Sequence, residues 1–298
     1  MATSLPILPL LLILSLATAS DSSTLNSFVY GGCSQIKYSS SDVAYTSNLN
    51  SLLTSLVNSA TYMAYNHFAI AGTSMHEVVY GLYQCRGDLP MPDCATCVAN
   101  SVSRLGALCP GSCGGAIQLQ GCYVKYDNDT FIGAEDKTVV MKKCGQPTGN
   151  QDKIVNRDAV LEGVVGNGGG FYRAGGSKDV AVIAQCVGDL SEGQCQDCLK
   201  ESVDQVKMEC ATSGNGDMYL GKCYVRYTIG GGRGYFNNNG IGGSDDKNRG
   251  VKNFALVIGL LAAIVIVIIF LTFICRVFAG SSKEVLECFL ALQSTILD

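Results

Sequence analysis

The sequence predicts an α+β protein: two tandem disulfide-stapled modules, each with two helices against an antiparallel sheet, followed by one transmembrane helix. Three observations carry that prediction. The frame C-x8-C-x2-C occurs twice, at Cys85, Cys94, Cys97 and at Cys186, Cys195, Cys198, and each copy is preceded by glutamine, Gln84 or Gln185. Each is followed at equal distances by a fourth cysteine (Cys109, Cys210) and a fifth inside a Cys-Tyr-Val-basic-Tyr segment (Cys122, Cys223), so one unit is present twice. Finally, the segments between cysteines switch between the 3.6-residue and two-residue hydrophobic periods, and apolar runs flank the pair.

In chain order, residues 1–19 read as a signal peptide, with an apolar run over 5–16 and the small residues Ala17, Thr18 and Ala19 behind it. The first module spans 30–143. Leu49, Leu52, Leu53, Leu56, Val57, Ala60 and Met63 put one apolar face on a helix over 48–65. A strand over 75–84 leads into Cys85, and a second helix follows over 93–108, with Asp93 placed to cap it. Residues 116–126 alternate as a strand, and 138–141 add another.

The second module spans 144–229 and opens on Cys144-Gly145-Gln146, matching Cys33-Ser34-Gln35. Its first helix is predicted as short, over 158–165, stopping at the glycine run 166–170. Strands follow at 171–173 and 180–185, a helix at 195–208 and a late strand at 218–227. Residues 230–253 are Gly/Asn/Ser/Asp-rich and read as a flexible stalk. The uncharged run 254–275 is long enough for a helix to cross a hydrocarbon core of about 30 Å. That leaves 276–298 as a cytoplasmic tail too short for a catalytic domain.

Lys247, Arg249 and Lys252 on one flank of that run face Arg276 and Lys283 on the other, so charge does not set the orientation and the signal peptide must. The expectation is a type I protein with its modules outside the cytosol. The formal net charge of −4 is spread without a basic cluster, which disfavours nucleic acid as a partner. There is no tryptophan, and 35 glycines imply long turns and thin cores. Disulfides offset thin cores in an oxidising compartment, at about 2–4 kcal/mol each.

A repeated C-x2-C invites three chemistries: zinc, a redox-active pair, or structural staples. The fixed x8 spacing ahead of it is not that of a zinc finger, and the full complement of further cysteines favours staples. Spacing alone does not choose among the fifteen pairings open to six cysteines. Cys113 has no counterpart after Cys210, so it is the odd cysteine, a candidate reduced thiol, intermolecular bridge or alternative partner of Cys109.

His67 and His76 are the only histidines, and no hydrolase, zincin or P-loop motif is present, so the chain reads as non-enzymatic. Asp88 and Asp189, within the repeated Gly-Asp-Leu, read as turn residues that accept backbone N–H bonds. Asn128 heads a glycosylation sequon. Tyr123, Tyr126, Tyr224 and Tyr227 are either sheet packing or a platform for sugar.

The C-x8-C-x2-C frame, its internal Gly-Asp-Leu and the Cys-Tyr-Val-basic-Tyr strand resemble the DUF26, or gnk2-homologous, domain of land plants. Two such domains with a signal peptide and one span, and no kinase, resemble the plasmodesmata-located proteins. The resemblance implies the pairs Cys33–Cys109, Cys85–Cys94 and Cys97–Cys122, then Cys144–Cys210, Cys186–Cys195 and Cys198–Cys223, with no cofactor. It also implies residence at plasmodesmata in the plasma membrane, influence on callose deposition, channel permeability and defence, and docking of viral movement proteins. Other plasmodesmal membrane proteins, including copies of the chain itself, are the expected partners. A secreted single-domain relative holds mannose through an Asn after its first cysteine, where this chain has Ser34 and Gly145. Two alternatives stand beside this reading: a lectin-like protein binding a cell-wall glycan, and an apoplastic redox sensor built on Cys113.

Overall fold

A computed structural model describes residues 22–39, 43–72, 77–166 and 169–230, all within one compact unit. The signal peptide, the predicted span 254–275, the tail, nearly all of the stalk, and His76 lie outside the described residues. Among the described residues no helix is long and apolar enough to cross a membrane.

The chain runs α1 (Ser22–Leu25), β1 (Phe28–Cys33), α2 (Val43–Ser59), β2 (Tyr65–Ile70), β3 (Val79–Cys85), α3 (Met91–Leu108), β4 (Gly115–Leu119) and β5 (Cys122–Asp127). It repeats the pattern as β6 (Val139–Cys144), α4 (Gln151–Gly166), β7 (Tyr172–Gly176), β8 (Val180–Cys186), α5 (Glu192–Glu209), β9 (Asn215–Leu220) and β10 (Cys223–Ile229). Each module folds its five strands into one antiparallel sheet, in the order β1-β4-β5-β3-β2 and β6-β9-β10-β8-β7. Both edge strands carry the same irregularity, between Phe28 and Tyr30 and between Val139 and Met141.

The two-residue strand period divides each sheet into a helix face and an outward face. In the first module Val79, Tyr83, Val124 and Tyr126 meet Leu49, Leu52 and Leu56 of α2 and Val98 and Leu105 of α3. In the second, Val180, Val182, Ala184, Val225 and Tyr227 meet Leu161 and Val165 of α4 and Leu199, Val203 and Val206 of α5. Gly81 lets α2 lie close, since a Cβ there would come 2.7 Å from a Leu52 methyl.

The sulfurs are joined as Cys33–Cys109, Cys85–Cys94 and Cys97–Cys122, and as Cys144–Cys210, Cys186–Cys195 and Cys198–Cys223. The two cysteines of each C-x2-C therefore go to different strands: the first binds the end of β3 or β8, the second the start of β5 or β10. Neither pair is joined to itself as a redox dithiol would be.

Several sequence expectations are corrected. The first helix covers 43–59 rather than 48–65, and Tyr65 opens edge strand β2; Met63, which continued the apolar spacing, is 45% exposed in the turn between them. Residues 116–126 and 218–227 are not single strands but hairpins, broken at Gln120-Gly121 and Gly221-Lys222. A glycine inside an alternating run marks the break, and at Gly121 a Cβ would crowd the Cys97 sulfur at 3.1 Å. The strand expected to close the first module is β6, the edge of the second sheet, paired with β9.

Helix α4 begins at Gln151, seven residues before the expected 158. Its buried face includes Arg157, 1% exposed, whose charge hides the helical period in the sequence. Asp93 does not cap α3: Pro90 holds the cap position without a side-chain bond, and Asp93 sits in the first turn, where its charge complements the helix dipole. In α5 the cap is Ser191, whose hydroxyl accepts from the Gln194 N–H while Gln194 returns a bond to the Ser191 N–H.

Removing the Cys33–Cys109 bridge opens a loop of 76 residues, against 9 for Cys85–Cys94, and loop entropy assigns these about 4.5 and about 2.6 kcal/mol. The double variant Cys33→Ala/Cys109→Ala is expected to unfold at lower urea concentration than Cys85→Ala/Cys94→Ala. The reverse order would show that strain or packing, not loop length, sets the contribution.

Candidate functional site: the junction between the modules

The outward sheet faces meet at the ends carrying Cys85 and Cys122, and Cys186 and Cys223, and equivalent residues of the two modules meet each other there. Tyr65 pairs with Gln84 across β2 and β3, as Tyr172 pairs with Gln185 across β7 and β8. The Gln84 side-chain oxygen accepts from the Gly188 N–H at 2.9 Å, and the Gln185 oxygen accepts from the Gly87 N–H at 3.3 Å. Both glutamine amides donate to the single Cys85 carbonyl, each at 2.9 Å. A Cβ on Gly87 would sit 2.4 Å from Tyr172, and one on Gly188 would sit 2.8 Å from Tyr65. The contact is isologous, as in a two-fold dimer, although both halves belong to one chain.

Charge breaks the symmetry. Arg86 pairs with Asp88 at 2.6 Å in the first copy, but Val187 replaces the arginine in the second. There Lys222, at the position equivalent to Gly121, supplies the cation and pairs with Asp189, the side chains being 3% and 1% exposed. Lys222 also donates to the Phe131 carbonyl at 3.0 Å, and Asp189 accepts from the Gly133 N–H at 2.9 Å, so this pair grips the connector between β5 and β6. Burial pulls the Lys222 pKa down, against the opposing effect of the Asp189 carboxylate. Arg226 pairs with Asp217 at 2.9 Å and reaches Gln120 across the junction.

Tyr30 meets Tyr219 edge-on at 5.7 Å, and Tyr219 stacks on Tyr224 at 4.9 Å. Burial raises the pKa of Tyr30, Tyr123 and Tyr224, so these hydroxyls stay protonated. A cavity of about 30 Å³ remains among Tyr30, Gln118, Gln185, Tyr219, Lys222 and Tyr224, room for one or two water molecules and none for a sugar ring.

These positions correct the sequence reading. Tyr123, Tyr126 and Tyr227 are buried and offer no sugar platform, and the partly buried Tyr224 is spent on the junction. Asp88 and Asp189 are ion-pair carboxylates first, although Asp189 does accept one backbone N–H. His67 lies on edge strand β2, and its Nδ1 is 3.1 Å from the Tyr65 hydroxyl.

Asn128 follows the last residue of β5 and is partly exposed. At Gly145 a Cβ would sit 1.8 Å from the Asn215 amide oxygen, so a side chain there requires the Asn215 side chain to turn away. The junction residues Gln84, Gly87, Gln185, Gly188 and Lys222 were not assigned a role from sequence. Their signal was the duplicated Gln-Cys-x-Gly-Asp-Leu, conspicuous but readable only as a local turn.

Cys113 lies outside the six disulfides and is 7% exposed. Its N–H bonds the Ile36 carbonyl at 2.9 Å and its carbonyl accepts the Tyr45 hydroxyl at 2.6 Å. In the second module Gly214 takes the corresponding place, and Arg157 holds the neighbouring loop through the Cys210 and Ala211 carbonyls at 2.9 and 3.2 Å. Cys113 therefore fills core volume that the second module fills otherwise. Redox sensing needs an accessible thiolate, which this burial does not give.

The family model described as salt stress response/antifungal, Stress-antifung, matches residues 32–129 and again 143–229. Plasmodesmata-located protein 7 of Arabidopsis thaliana is 56% identical over 86% of this chain and 85% of its own length. Plasmodesmata-located protein 6 of the same plant is 47% identical over 89% of this chain and 93% of its own. The crystal structure of the tandem DUF26 ectodomain of the Arabidopsis cysteine-rich receptor-like protein PDLP5 aligns with a TM-score of 0.65 at 42% identity, covering 69% of this chain and all of that one. The corresponding ectodomain of PDLP8 aligns with a TM-score of 0.66 at 38% identity, with the same coverage.

Lys222→Met is expected to cost about 3–5 kcal/mol, because it leaves the Asp189 carboxylate buried without a cation. Adding Asp189→Leu should recover part of that loss. Gly188→Ala, which drives a methyl against Tyr65, should cost about 1–3 kcal/mol. Urea unfolding of the variants measures all three, and an additive Lys222/Asp189 double variant would show that the pair does not act as a unit.

Proposed function

Because the chain belongs to the plasmodesmata-located protein family and carries two Stress-antifung (DUF26) domains, we propose that it is a non-enzymatic type I membrane protein of plasmodesmata. In this reading its two modules stand in the apoplast and the run 254–275 anchors them. The observation that carries the reading is the 56% identity with Plasmodesmata-located protein 7 across 86% of the chain. The likeness to two receptor-like ectodomains supports binding rather than catalysis.

The fused junction fits such a role. It makes the two modules one body that presents fixed surfaces to other membrane proteins or to further copies of the chain. Through those contacts the protein regulates movement between cells, by way of callose deposition and channel permeability in normal tissue and in defence, and gives viral movement proteins a docking point.

A fluorescent protein fused behind Asp298 should mark plant cell walls in puncta coincident with plasmodesmata. Even staining of the plasma membrane would count against the reading. Asn128→Gln should abolish a mobility shift on treatment with peptide N-glycosidase, and an unshifted wild-type chain would remove the support for lumenal exposure.

A further inference from the structure

We propose that the second module holds a binding site for a carboxylate-bearing sugar, a hexuronate, in the cavity at the start of α5. This goes beyond the plasmodesmal reading and does not rest on it. The cavity has a volume of about 280 Å³ and is lined by Phe171, Arg173, Glu192, Gly193 and Gln196 among others, a size suited to one pyranose ring.

Arg173 is 7% exposed, yet its bonds go only to neutral oxygens: Gly170 O at 3.2 Å, Gln196 Oε1 at 2.7 Å and Val165 O. Among the described residues it makes no ion pair, and its second terminal nitrogen, Nη2, makes no hydrogen bond. Burial accordingly lowers its pKa. The guanidinium has no carboxylate partner, and its unbonded Nη2 is the group through which an incoming carboxylate would make a charge-assisted bond.

The first turn of α5, an 18-residue helix, adds to the attraction. Ser191 caps the Gln194 N–H, which leaves the Glu192 and Gly193 amides at the positive end of the helix, and a Cβ at Gly193 would meet nothing within 4 Å. Glu192 also lines the cavity. Its carboxylate is an acceptor for sugar hydroxyls, the Gln196 amide keeps one N–H beyond its bond to Val165 O, and the partly exposed Phe171 adds an apolar wall.

The duplication supplies an internal comparison. Asn66, Met91, Pro92 and Ala95 occupy the positions of Arg173, Glu192, Gly193 and Gln196 in the first module. There Asn66 donates to the Ser59 hydroxyl at 2.8 Å, and the same fold forms around the equivalent helix ends. Arg173 and Gln196 both bond the Val165 carbonyl in the last turn of α4, but the first module shows that this fold does not require a charge or an amide pair there.

Calorimetric titration of the detergent-purified full chain tests the site, with D-galacturonate as probe and D-galactose and acetate as controls. Galacturonate should bind saturably with a Kd of about 1 mM, and either control should bind about tenfold more weakly or less. Arg173→Gln should weaken galacturonate at least about tenfold, as the loss of a charge-assisted pair implies. Gln196→Ala, which copies Ala95 of the first module, should weaken it severalfold. Absence of saturable galacturonate binding, or equal binding by an Arg173→Gln protein with the wild-type unfolding midpoint, overturns the proposal. So does acetate binding as tightly as galacturonate. If Arg173→Gln fails to fold, an unchanged affinity in Gln196→Ala overturns it instead.

Discussion

The structure depends on how each C-x2-C divides its two sulfurs. At helical spacing the first and second cysteines of α3 face different strands of the same sheet, so one helix is bolted to the end of β3 and the start of β5. α5 repeats this with β8 and β10. The third bridge ties the far end of the helix to the edge strand, at Cys33–Cys109 and Cys144–Cys210. Helix and sheet are thereby fixed at three points, and a modest apolar core suffices between them. The helix layers can then vary in composition: α3 carries two charged residues, Asp93 and Arg104, whereas α5 is charged along much of its length.

With each sheet held by its helices, the opposite faces are left to recognise one another. The junction does so with backbone amides, two glutamines and two glycines, groups that give direction and closeness rather than large apolar area. Desolvated polar groups of this kind are costly unless every partner is in place. That demand accounts for the two glutamine amides converging on Cys85 O, and for Lys222 and the Gly133 N–H converging on one oxygen of Asp189, whose other oxygen is buried without a hydrogen bond.

The α+β class, the duplication, and the helices carrying the C-x2-C pairs were legible because cysteine spacing and apolar period agree over α3 and α5. What escaped was hidden by chemistry that sequence patterns do not encode. Arg157 looks like a surface residue but is buried against Tyr227, so α4 appeared half its length. Gly121 and Lys222 sit inside alternating runs that look continuous until the turn is seen. The strand β6 follows the first module in sequence and belongs to the second sheet, a matter of pairing rather than propensity. The junction was illegible for a related reason: nothing in one copy of Gln-Cys-x-Gly-Asp-Leu states that its ligand is the other copy.

A contact made by matching parts of two repeats has an uncommon evolutionary geometry. Any change common to both copies is felt on both sides of the seam at once, while drift in one copy must be answered in the other or beside it. The positive charge stands just after Cys85 in one copy and just before Cys223 in the other: the carboxylate is common to both, and its cation comes from a different turn in each. Repeats joined in this way are free to diverge on their outer helices, yet they remain bound to a common history where they touch.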